Sequence, residues 1–163
     1  MLEYLKSIKR IIKVLSVLTI ILIINKNNYN SYNYKIRTEK EISHNKDTNY
    51  IIIDNTKLII ESGNEKDILN NNKVFYMPNS TVDNYFLAGH NNKLVFNRLY
   101  SLNINDHITF HINKNNYDYI VFNKKYIDVD DKTVFNKKNY NSLSLITCSF
   151  TNQKRYIVEC KRK

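Results

Sequence analysis

The sequence predicts an all-β domain, an antiparallel barrel or sandwich of about eight strands with one or two short helices, behind an apolar N-terminal segment. Three observations predict it. From Tyr50 onward the chain breaks into short apolar runs separated by Asn, Asp and Lys. Eight such short runs in about 114 residues imply an antiparallel barrel or sandwich. Between the apolar N-terminal segment and Tyr50 such runs are absent: residues 26–49 are polar, low in aliphatics and interspersed with tyrosine.

The strands follow in order. YIIID (50–54) and KLII (57–60) open the domain, then KVFYM (73–77) and NYFLAG (84–89). HITFHI (107–112) and YDYIVF (117–122) come next, and SLSLITC (142–148) and RYIVEC (155–160) close it. Two short helical turns fit between them, at 65–69 and 96–102. No internal repeat is visible. The segment 50–163 is long enough to bury one core.

The last two strands are joined only by residues 149–154, which predicts a hairpin. If Cys148 lies opposite Arg155, then Cys160 lies opposite Leu143, at the far end. Five residues at ~3.4 Å each separate the two thiols by more than a disulfide reaches. Cys160 then reads as a small buried hydrophobe. Cys148 is left as a free thiol at a strand end beside a guanidinium, and cationic neighbours favour a thiolate.

Residues 1–25 carry a different signal. Lys6, Lys9, Arg10 and Lys13 precede VLSVLTIILII (14–24), apolar apart from Ser16 and Thr19. A basic flank before an apolar run is an export signal whose basic end stays in the cytoplasm. The run is short of the ~20 residues of a full span, but Ile8, Ile11 and Ile12 extend it if Lys13 snorkels. No small-x-small cleavage site follows. The expectation is an uncleaved, single-pass signal anchor rather than a cleaved signal peptide, with 26–49 as a stalk and 50–163 as an extracellular domain. The net charge of +10, from 25 basic and 15 acidic residues, suits anionic surroundings. The basic residues are scattered and form no recognition-helix or RNA-binding signature, which argues against nucleic acid.

A thiolate nucleophile needs a proton partner, usually histidine. His44 lies in the stalk. His107 and His111 share a strand-like segment with no second pair to complete a metal site, and read as structural or surface residues. His90 ends the apolar strand NYFLAG, directly after one of only two glycines. A histidine there is either a polar strand terminus or a proton carrier, and the residues alone leave both open.

Three stretches taken together narrow the choice: Leu87-Ala-Gly-His-Asn91, Ser144-Leu-Ile-Thr-Cys148 and Lys154-Arg-Tyr-Ile-Val158. In this order and spacing the chain resembles the sortases, transpeptidases that attach proteins to the cell envelope of Gram-positive bacteria. Their marks are a strand ending in Ala-Gly-His, a Thr-Leu-x-Thr-Cys strand end and an Arg opening the last strand. Leu99-Tyr-Ser-Leu-Asn-Ile-Asn-Asp106 sits where the family has a helix and a Gly-Asp turn. Ser144 replaces the family's Thr, Asn105 replaces its Gly, and the connection 129–142 is short. No lid motif of the pilus-polymerising subgroup is visible in 25–49, so the chain looks like a small member of the class A or class D kind.

The resemblance implies a closed β-barrel and assigns roles. Cys148 would be the nucleophile, His90 the proton carrier, and Arg155 the group holding the substrate carbonyl, with the backbone N–H of Ser149 as a second oxyanion donor. It implies a sorting-signal peptide of the Leu-Pro-x-Thr-Gly kind as one partner and an envelope amine, such as a peptidoglycan precursor, as the other. No cofactor is expected. Asp128, Asp130 and Asp131 cluster in one loop, but calcium takes six to eight oxygens, and no metal is expected. The papain-like order of Cys before His is absent. The competing reading is a membrane-anchored barrel that binds a cell-wall ligand without chemistry, its Cys148 merely buried.

Overall fold

The structure is a computed structural model, which describes residues 2–44, 47–151 and 153–163. The chain divides into two compact units, Met1–Ile36 and Arg37–Lys163.

Helix α1 (Leu2–His44) fills the first unit and continues into the second. The helix runs on through most of the segment expected to be a polar stalk. Its last turns are held locally. Thr38 is buried, and Glu41 accepts a 2.8 Å hydrogen bond from the ammonium of Lys73, which also meets Glu61 at 2.6 Å. Along 14–24 the aliphatic side chains lie open on all sides, Leu22 being 66% exposed. Ser16 and Thr19 turn their hydroxyls back onto the carbonyls of Lys13 and Ser16, each at 2.8 Å, so the polar atoms of the apolar run are satisfied within the helix. Among the described residues no helix is long and apolar enough to cross a membrane. A transmembrane span is therefore not shown.

The second unit is a closed eight-stranded barrel. Its strands are β1 (Tyr50–Ile53), β2 (Thr56–Glu61), β3 (Val74–Tyr76), β4 (Asn84–Ala88), β5 (His107–Ile112), β6 (Asn115–Asp128), β7 (Ser142–Cys148) and β8 (Lys154–Arg162), paired around the barrel as β1-β2-β3-β4-β7-β8-β6-β5. Every segment read as a strand is one. Helix α2 (Glu65–Asn70) and a 3-10 turn (Phe96–Tyr100) occupy the two expected helical positions, and a second 3-10 turn (Thr133–Phe135) lies between β6 and β7.

The all-antiparallel expectation needs correction, because β2–β3 and β4–β7 run parallel. Parallel neighbours need a crossover. α2 supplies the first, and the excursion through β5 and β6 supplies the second. β6 also runs past its expected end at residue 122. Asn123, Lys124 and Lys125 break the apolar pattern, yet after a register shift between Val121 and Asn123 they keep pairing with β8.

A chain with two glycines fills its left-handed turns with other residues. Asp54 and Asn55 (φ 49° and 55°) join β1 to β2, and Asn113 and Lys114 (φ 50° and 68°) join β5 to β6. Asn and Asp tolerate this region better than other side chains do.

Register and alternation define two apolar layers. Leu87, Leu143, Leu145, Val158 and Cys160 face the barrel interior and are fully buried. The outward face of the same strands carries Phe86, Ile146 and Ile157, which pack with Ile127 and Val134 and with half-buried Met77 and Phe135. Each such buried side chain contributes on the order of 1.5–3 kcal/mol. This outer layer is the floor of the site.

Candidate active site

Parallel pairing of β4 with β7 sets Ala88 beside Ile146, so residues 89–90 and 147–148 leave the barrel at the same end. Two bonds lock this junction. The Gly89 amide donates to the Ile146 carbonyl at 3.1 Å, and the buried Thr147 hydroxyl donates to the Gly89 carbonyl at 2.8 Å. Only glycine fits here. A Cβ at residue 89 would stand 2.7 Å from the Phe96 ring and 2.9 Å from the Val95 side chain.

The chain then folds back. The carbonyl of His90 accepts the amides of Asn92 and Phe96 at 2.9 and 3.0 Å. At the other end of the same 3-10 turn, the Tyr100 hydroxyl donates to the carbonyl of Cys148 at 3.0 Å. The Tyr100 ring is stacked between Tyr156 and Phe150, with centroid separations of 4.4 Å on both sides. Burial, with Tyr126, Tyr156 and Cys148 nearby, pushes its phenol up to about 12, so it stays a proton donor at physiological pH.

The closing hairpin has the expected register. Cys148 pairs with Arg155 and Leu143 with Cys160. Nη1 of Arg155 donates to Sγ of Cys148 at 3.1 Å. Both cysteines are free; Cys160 is fully buried, and burial pushes its thiol upward. The expectation for Ser149 requires correction. Its backbone N–H donates to the Lys154 carbonyl at 2.8 Å and its hydroxyl accepts the Lys154 amide at 3.2 Å, so it closes the hairpin turn and offers no free oxyanion donor.

Cys148, Arg155 and His90 line one cleft of about 270 Å³. Met77, Ile127, Ile146, Val134 and Phe135 give it an apolar floor and wall, and Glu65 and Asp131 add carboxylates. The remaining histidines lie elsewhere. His111 stacks on Tyr50 with centroids 4.5 Å apart and bonds Asn116 through Nδ1 at 2.7 Å, while His107 is exposed on β5. His44 ends α1, and its side chain lies outside the described residues. Among the described residues no three His, Cys, Asp or Glu side chains are grouped to hold a metal ion. The sequence reading missed Tyr100 and the wall residues Val134 and Phe135; neither an isolated tyrosine in a turn nor a short apolar pair in a polar loop has a distinctive spacing.

A family model described as the sortase domain matches residues 47–163. The chain belongs to the sortase family. Solved structures similar to this sortase include sortase C from Clostridium perfringens SM101, at 25% identity and TM-score 0.63, covering 70% of this chain and 68% of that one. A second is Clostridium perfringens sortase C with the C-terminal cell wall sorting motif, at 26% identity and TM-score 0.61, covering 70% and 69%. Listeria monocytogenes sortase A is similar in fold, at 22% identity and TM-score 0.64, covering 73% and 88%. A sequence search of curated proteins gives no match. Asn105, which stands where the family pattern has glycine, keeps the turn: its φ is 76° and its amide donates to the Val121 carbonyl at 2.8 Å.

Proposed function

We propose that this sortase cleaves a short C-terminal sorting signal of the Leu-Pro-x-Thr-Gly kind and transfers the new acyl end to an envelope amine. The observation that carries the reading is the 3.1 Å contact between Arg155 and Cys148 in the cleft that His90 also lines. The Clostridium relative solved with a sorting motif supports the choice of substrate.

Each role follows from the chemistry. The thiolate of Cys148 attacks the scissile carbonyl, forming a C–S bond, and His90 protonates the departing amine as the C–N bond breaks. Arg155 leaves the sulfur to hold the carbonyl oxygen as negative charge develops there. The second amine then attacks the thioester, His90 accepts its proton, and the thiolate is restored. Transfer outpaces hydrolysis when the amine is held in position and water is not. The apolar floor of Ile127, Ile146 and Met77 suits the Leu-Pro portion of the signal. The acceptor would be an amine of a peptidoglycan precursor.

Residues 1–25 would hold the domain at the cell membrane, N-terminus inside and barrel outside. The exposed aliphatics of 14–24 support this, since a bare apolar helix needs a cover. The continuation of α1 to His44 makes the stalk helical.

The test is to incubate the full chain in detergent with a quenched sorting-signal peptide and a triglycine acceptor. Cleavage between Thr and Gly with transfer to triglycine supports the reading. A wild-type chain that does neither contradicts it.

A further inference from the structure

The wall of the cleft is the 129–141 connection between β6 and β7, and its anchor lies outside the cleft. Val134 and Phe135 pack inward, the Phe135 ring meeting Phe86 edge-on at 5.2 Å. The segment has little structure of its own: a 3-10 turn with bonds from Phe135 to Lys132 and from Asn136 to Thr133. Its return is fastened at Lys138. The Lys138 amide donates to Asn84 Oδ1 at 2.8 Å, and its ammonium lies 3.5 Å from Oε1 of Glu159.

Glu159 is 5% exposed. The same Oε1 meets the ammonium of Lys125, on the strand that leads into the connection, at 3.2 Å, and Oε2 accepts from Asn123 at 2.8 Å. One buried carboxylate therefore ties the strand before the wall to the segment after it. It shares a row with Ser144 on β7 and, one strand further on, with Phe86 on β4, whose ring Phe135 meets. Burying a charge is unfavourable unless it is fully paired, and an apolar residue of similar size can stabilise a fold as well. A charged tie adds direction: it fixes where the wall sits.

We infer that Glu159 and Lys138 are positioning residues that hold Val134 and Phe135 in place for the apolar residues of the sorting signal. The inference rests on the cleft being the sorting-signal site. Along β8, Glu159 stands four residues from Arg155, roughly 13 Å at the strand rise. Loss of the tie should therefore weaken substrate binding and leave the chemistry intact.

The experiment uses the full chain and compares Lys138→Met, Lys138→Arg and Glu159→Gln with the wild type. It measures kcat and KM on the peptide, alkylation of Cys148 by iodoacetamide, and hydrogen exchange at the Phe135 and Asn136 amides. Lys138→Met keeps the aliphatic stem of a half-buried side chain and leaves no uncompensated charge on residue 138 itself, so it tests the tie even if Glu159→Gln fails to fold. The expected result is a KM about tenfold higher with kcat within about twofold. Exchange at residues 135 and 136 should quicken, alkylation should be unchanged, and Lys138→Arg should restore KM. Unchanged KM and exchange in Lys138→Met would overturn the inference, as would a fall in kcat with KM held. A wild type that cleaves no peptide contradicts the transpeptidase reading instead, and exchange then decides the anchor alone.

Discussion

The Tyr100 hydroxyl donates to the main-chain carbonyl of Cys148 at 3.0 Å, while Phe96, at the start of the same turn, donates its amide to the carbonyl of His90 at 3.0 Å. One short turn thus holds the backbone of both residues assigned to proton transfer and attack. Tyr100→Phe keeps the stack with Tyr156 and Phe150 and removes only the hydroxyl. Stability should fall by about 1 kcal/mol, and turnover by several-fold, because misplacement of the nucleophile slows reaction. Urea denaturation and steady-state kinetics measure both. Turnover unchanged in Tyr100→Phe would make the bond purely structural.

Arg155→Lys separates charge from geometry. A lysine keeps the positive charge but lacks the planar fork that can point at a carbonyl oxygen. Loss of an oxyanion donor costs on the order of 3–4 kcal/mol, a hundredfold or more in rate. The expected outcome is a fall in kcat of that order for Lys, close to that for Ala, with the melting temperature almost unchanged. Near-normal turnover in the Lys variant would reduce Arg155 to a counter-charge.

The hairpin that pairs these residues was legible in the sequence. SLSLITC and RYIVEC alternate and residues 149–154 are few enough to make a hairpin, and the register in which Cys148 faces Arg155 and Leu143 faces Cys160 is the one observed. What brings His90 to Cys148 was not legible from the pattern, since a two-residue period does not say which strands are neighbours or in which direction. That placement depends on the parallel β4–β7 pair and came only through the family resemblance. Lys124 and Lys125 hid the far half of β6 because a polar run looks like a loop until its partner strand is known. Asn and Tyr likewise hid the helix through 26–44, near whose end Thr38 is buried and Glu41 pairs with Lys73, distant in sequence. The Ser149 amide was misread because hairpin closure claims it first.

The Glu159 anchor should appear in acid. Burial pushes its carboxyl up, but the bond from Asn123 and the ammonium groups of Lys125 and Lys138 outweigh this and hold it below its usual 4.5. Tyr140 also faces it, with its phenol raised by burial and by Glu159, and stays neutral. A depressed carboxyl contributes stability that is complete above the unfolded value and is lost as pH falls through the folded one. The stability gap between wild type and Glu159→Gln should therefore be full at pH 6 to 7 and shrink below about 4.5. A gap independent of pH would show that the carboxylate is not the charged anchor described.

Truncation tests where the domain begins. A fragment starting at residue 37 retains buried Thr38 and the Glu41–Lys73 pair. A fragment starting at residue 50 loses both, together with Asn49, whose carbonyl accepts the Ile60 amide at 2.9 Å and whose side chain accepts the Asn113 amide at 3.0 Å. The longer fragment should be the more stable by about 1–3 kcal/mol, since each lost bond contributes on the order of 1 kcal/mol, and both should be soluble. Equal thermal midpoints would place the boundary after α1.

In the proposed reaction Cys148 carries the acyl group. The most direct measurement is the intact mass of the full chain, quenched in acid during turnover of a sorting-signal peptide, followed by peptide mapping. The expected adduct equals the peptide up to its Thr, lies on Cys148, is removed by hydroxylamine or by added triglycine, and is absent from Cys148→Ala. An adduct on Cys160, or peptide cleavage that persists in Cys148→Ala, would contradict it.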